Sequence, residues 1–91
     1  MQFLVVSRPT GLDRREALRD VEEDALGPMR SDGFLQQIWR RDDGAGSYSL
    51  VEADSLAEAS QRLATLPFVV QGAITIEIIP VTARFLDDTA S

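Results

Sequence analysis

Ninety-one residues with a formal charge of -6 and a pI near 4.4 describe one small acidic domain, of a size that buries a modest core and gains from association. With no cysteine and no histidine, the chain excludes disulfides, thiolate nucleophiles, Ser-His-Asp triads and the usual zinc sites. Acid-base chemistry falls to Asp, Glu and Tyr, while nine arginines and no lysine supply fixed cations. The acidic balance excludes nucleic acid as a partner, since phosphate binding needs clustered positive charge.

Gln2 to Ser7 is a short apolar, β-branched run stopped by Arg8-Pro9-Thr10-Gly11, a strand and a turn. Asp13 stands three residues before Glu16, the capping-box spacing that opens a helix. Leu18, Val21, Ala25, Leu26 and Met29 follow as an apolar stripe, with Glu22 at its edge. Gly27-Pro28 is expected to interrupt or kink this helix. Phe34 to Arg41 is a second strand, Asp42 to Gly46 a flexible connection and Ser47 to Ala53 a third strand, together a hairpin. Ser55 and Glu58 repeat the capping-box spacing ahead of a second stripe, Leu56, Ala59, Leu63 and Leu66, which Pro67 ends. After a loop around Gln71-Gly72, Ala73 to Val81 is a fourth strand.

The order β-α-β-β-α-β is the ferredoxin-like α+β arrangement of four antiparallel strands with two helices on one face. One domain spans residues 1–83, and 84–91 form a loose acidic tail. Strands apolar on both faces imply that the helix-free face is covered too, and in so short a chain the cover is another copy of the same sheet. The longest apolar runs fall far short of the roughly 20 residues a membrane span needs, and no signal-peptide pattern opens the chain, so a cytoplasmic protein is expected. Arginine-only usage with abundant alanine points to a GC-rich bacterial genome.

Glu77 is a carboxylate set in an otherwise apolar strand; buried, its pKa would rise and make it a proton shuttle, the alternative being an arginine pair at a subunit contact. Strand alternation sends Trp39 and Arg40 to opposite faces, Arg40 a candidate carboxylate clamp, Trp39 a pocket wall or an interface aromatic. Tyr48 can donate to a developing enolate oxygen or stand as a cross-strand structural residue. It lies about 13 Å from Glu52 along the strand, so the two do not share an atom of substrate. Glu22 is a second candidate base, against the usual solvated helical glutamate. Gly44-Ala45-Gly46 is no phosphate loop, and the Asp42-Asp43 and Asp87-Asp88 pairs are too sparse for calcium.

The tract Gly33-Phe34-Leu35-Gln36-Gln37-Ile38-Trp39-Arg40, then Tyr48-Ser49, Leu66-Pro67 and Ile76-Glu77-Ile78-Ile79-Pro80-Val81, resembles muconolactone isomerase and its relatives. The resemblance implies a dimeric α+β barrel, a homodimer with higher assemblies open to it, and isomerisation of a small unsaturated lactone without cofactor or metal. That reaction needs a base that returns its proton, donors for the enolate and a cation for the carboxylate: Glu77 or Glu22, Tyr48 and Arg40, with Gln37 and Trp39 beside them. Gln37 and Ser60 stand where the family has histidines, and glutamine cannot shuttle protons. The loop from Phe68 to Ile74 is longer than the family's. Two other readings stay open: a diverged barrel acting on a polyketide-like or aromatic metabolite by cyclisation or cofactor-free oxygenation, and a non-catalytic ligand-binding module.

Overall fold

The computed structural model describes residues 1–11 and 15–84. Strands β1 (Gln2–Pro9), β2 (Leu35–Arg40), β3 (Ser47–Glu52) and β4 (Ile74–Val81) form one antiparallel sheet in the order β2-β3-β1-β4. Helices α1 (Arg15–Ser31), α2 (Leu56–Leu63) and α3 (Pro67–Val70) complete the chain. The ferredoxin-like arrangement is therefore present, with a short third helix where the sequence predicts a loop. Pro67 ends no helix; it opens α3 at the first position, where a missing N–H costs nothing.

Alternation along the strands sorts the sheet into two faces. Phe3 and Val5 of β1, opposite Val51 and Ser49 of β3, turn toward the helices. There Phe3, Val5 and Val51 meet Met29 of α1, Phe34, and Ala59 and Leu63 of α2 in one core. Each large apolar side chain so buried contributes about 1.5–3 kcal/mol. The opposite face carries Leu4, Val6, Leu50 and Ile79, and among the described residues nothing is layered on it in the way α1 and α2 cover the first.

α1 departs from the expected interruption and from the expected inward stripe. α1 runs unbroken through Gly27-Pro28 to Ser31. Pro28 deletes one backbone donor, but both residues are exposed, so the lost bond falls on the solvent side while Met29 beside them stays locked in the core. Val21, expected on the inward stripe, is half exposed, and Glu22 takes the inward position instead. At α2 the Ser55 half of the second capping box forms, Ser55 Oγ accepting from Glu58 N at 3.1 Å, while Glu58 Oε1 reaches one residue past the cap to accept from Asp54 N at 2.7 Å. Asp13 of the first box, and the tail from residue 85, lie outside the described residues.

The β2-β3 hairpin is tied rather than loose. Arg41 donates to both carboxylate oxygens of Asp43, at 3.1 and 2.6 Å, and Ala45 N donates to Asp43 Oδ1 at 2.9 Å. Arg41 and the Ala45 amide hold the Asp43 carboxyl below its ordinary range. β2 also carries a bulge between Leu35 and Gln37. That extra residue resets the alternation, so Leu35, Ile38 and Arg40 face the helices and Gln37 and Trp39 face away.

Candidate active site

Between the helices and the sheet lies a cavity of about 400 Å³. α1 returns antiparallel to β1, so Arg15 and Arg19 stand at the Ser7 end of the sheet and Glu22 lies one to two turns further in. All four residues line the cavity, as do Arg40 and Ser47. Exposure follows the same gradient, from exposed Arg19 and Arg40 at the mouth to Glu22 at 6%.

Glu22 is the one buried charged residue among those described. Its Oε1 accepts from Phe68 N at 2.9 Å. That amide belongs to the first turn of α3, whose N-cap, Leu66, offers no side-chain acceptor, so the α1 carboxylate satisfies a donor the short helix leaves open. Its second oxygen has no protein partner among the described residues. Burial pushes the Glu22 carboxyl above the ordinary glutamate range; the Phe68 amide pulls it down, and the neighbouring Glu23 charge adds to the rise. One oxygen is anchored, and the carboxyl is shifted toward the pH at which an acid both gives and takes a proton.

The sheet wall carries polar groups that the sequence reading passed over. Ser7 on β1 pairs with Ser47 on β3, Ser47 pairs in turn with Arg40 on β2, and Ser49 pairs with Ile38. Ser7, Ser47 and Ser49 line the cavity, and neither their hydroxyls nor the Arg40 guanidinium has a hydrogen-bond or ion-pair partner among the described residues. The signal was present: Ser47 and Ser49 alternate with Val51 on the face where a core strand would carry apolar side chains. Gly46, just before β3, has φ 139°, and a Cβ there would lie 2.0 Å from the Ser7 carbonyl oxygen. Only glycine allows the hairpin to approach β1 so closely beside the Ser7-Ser47 pair.

No family model and no curated protein matches the chain. Solved structures do. The crystal structure of muconolactone isomerase superposes with a TM-score of 0.75 at 20% identity, over 100% of this chain and 98% of that one. The fold is that of muconolactone isomerase. A second neighbour, 5-chloro-2-hydroxyhydroquinone dehydrochlorinase from Burkholderia phenoliruptrix AC1100 in complex with 2,5-dihydroxybenzoquinone, gives 0.75 at 20% identity over 90% of this chain and 94% of its own.

On this muconolactone isomerase fold the six residues singled out from sequence divide between the two faces of the sheet. Glu22 and Arg40 come together in the cavity. Glu77, Tyr48, Trp39 and Gln37 lie on the other face, where Trp39, Tyr48, Val6 and Glu77 form one row across the four strands. Glu77 is not the embedded carboxylate its apolar neighbours suggested: it is more than half exposed and pairs with Arg8 at 3.5 Å. Its neighbours are apolar, but they face the other way or border an open surface. Gln37 Oε1 accepts from the Ile38 amide at 2.9 Å, and Trp39 is 50% exposed. Among the described residues no group of three or more carboxylates gathers into a metal-ligating cluster, and no helix is long and apolar enough to cross a membrane.

Proposed function

We propose that the protein is a cofactor-free enzyme that isomerises a small anionic lactone or related enolisable metabolite by proton transfer, with Glu22 as the group that takes and returns the proton. The observation that carries this reading is the buried Glu22 carboxyl, held by one oxygen and without a partner at the other among the described residues, in a cavity lined also by arginines. Arg40 holds the substrate carboxylate, as a fixed cation does best. The Glu22 carboxylate removes the proton from the γ carbon of the unsaturated lactone, the ring carbon that bears the carboxylate side chain. The C–H electron pair moves into the conjugated system to give a dienolate, whose oxygen a cavity hydroxyl stabilises. Glu22, now neutral and able to exchange its proton with solvent between removal and return, delivers a proton to the carbon beside the lactone carbonyl, so the product is an isomer of the substrate. Tyr48 and Glu77 stand outside this assignment.

Purified protein incubated with muconolactone, followed by ultraviolet absorbance and NMR of the product, tests the reading. Conversion that Glu22→Gln abolishes supports it; a folded wild-type protein that leaves muconolactone untouched rejects that substrate. A second reading, action on a hydroxylated aromatic or quinone compound, draws on the dehydrochlorinase neighbour and its bound dihydroxybenzoquinone. We further infer a cytoplasmic homodimer closed through the helix-free face, where half-buried Leu4, Leu50 and Ile79 and exposed Trp39 and Tyr48 offer an apolar surface of the kind an isologous contact uses.

A further inference from the structure

We propose that Ser7 and Ser47, adjacent across β1 and β3, act with Arg40 as a directional carboxylate subsite at the hairpin end of the cavity, restricting the protein to one-ring monocarboxylates whose second oxygen function reaches toward Glu22. The inference rests on the proton-transfer reading for the role of Glu22, but its own ground is separate. A lone arginine attracts any anion. Two hydroxyls fixed on neighbouring strands beside it add donors of set direction, which a planar carboxylate can satisfy together. The register supplies that arrangement: Ser7 opposite Ser47, and Ser47 opposite Arg40. All three groups lack protein partners among the described residues and line one cavity. Gly46 keeps the hairpin pressed on β1 at this point, so the two serines sit on backbone that cannot easily part.

Charge and volume narrow the ligand. The same cavity is lined by Arg15, Arg19 and Arg40 and by Glu16, Glu22 and Glu23, a balance that suits a single negative charge better than a dianion. A volume of about 400 Å³ sits at the lower end of the range for small-molecule pockets, enough for one ring and its substituents. The unpartnered Glu22 oxygen lies at the inner end, so a ligand spanning the cavity meets its carboxylate contacts at the mouth and a polar contact at the floor.

Protein-detected NMR titration with 4-hydroxybenzoate and its neutral counterpart 4-hydroxybenzamide tests the subsite without turnover. The acid is expected to bind wild type at least about tenfold tighter than the amide, as loss of charge-assisted hydrogen bonds implies, and to shift the β1 and β3 amides around Ser7 and Ser47. Ser7→Ala/Ser47→Ala, and Ser47→Ala alone, should erase most of that preference while the amide's affinity stays nearly constant. Glu22→Gln should keep the preference, which separates failure of the subsite from failure of the proton-transfer role. Equal affinity for acid and amide overturns the proposal, as do no shifts in β1 and β3, an undiminished preference in the serine variants, or inorganic phosphate competing as well as the carboxylate.

Discussion

Glu22 concentrates the chemistry because it lines the cavity while its two oxygens live in different circumstances, one capping α3 and one without a protein partner among the described residues. Since its folded-state pKa is raised, ionisation costs folding free energy: stability is full below the ordinary glutamate range and falls as pH rises through the elevated value. A carboxyl-carbon NMR titration should therefore place Glu22 above the ordinary glutamate range, and Glu22→Gln should lose the pH-dependent fall in stability over that window. The glutamine keeps an acceptor for the Phe68 amide, so the variant folds. Activity runs the other way with pH, rising as Glu22 ionises. Arg40 has a different signature: Arg40→Gln should raise KM by about tenfold or more with a smaller change in kcat, the loss of a charged hydrogen bond made already in the ground state.

At the scale of elements, the β2 bulge and the Gly46 contact decide which side chains reach the cavity. The periodicity of α1 and α2, the Ser55-Glu58 cap and the chain order of strands and longer helices were legible in the sequence because each depends on neighbours three or four residues away, or on simple alternation. The bulge was not. Gln36-Gln37 carries no turn residue, yet without the extra residue the alternation that starts from buried Leu35 would have sent Gln37 and Trp39, not Arg40, toward the helices. Glu22 was underrated for a related reason: its burial comes from α3, a four-residue helix with too little periodicity to read. Gly46→Ala should cost about 2 kcal/mol or more in urea denaturation, because the Ser7 carbonyl that its Cβ would strike is backbone and cannot swing aside. Loss of the carboxylate-over-amide preference should accompany it.

Over the whole molecule, the cavity lies between the helices and the sheet, and the apolar remainder lies on the face beyond. Trp39, Tyr48 and Glu77 belong to that second face, so their importance is expected in assembly rather than in proton transfer. Sedimentation equilibrium should find wild type as a dimer and Trp39→Glu shifted toward monomer by at least about tenfold in dissociation constant, a charge placed in an apolar contact costing a kcal/mol or more. A Trp39→Glu protein that stays as dimeric as wild type would move the contact elsewhere. Proton transfer through Glu22 is the step on which the proposed activity depends. The most direct measurement is NMR of muconolactone incubated in deuterium oxide with wild type, Glu22→Gln and Glu77→Gln. Deuterium entering carbon positions with wild type and Glu77→Gln, but not with Glu22→Gln, is the predicted result; incorporation by Glu22→Gln at the wild-type rate, or none by folded wild type, would contradict it.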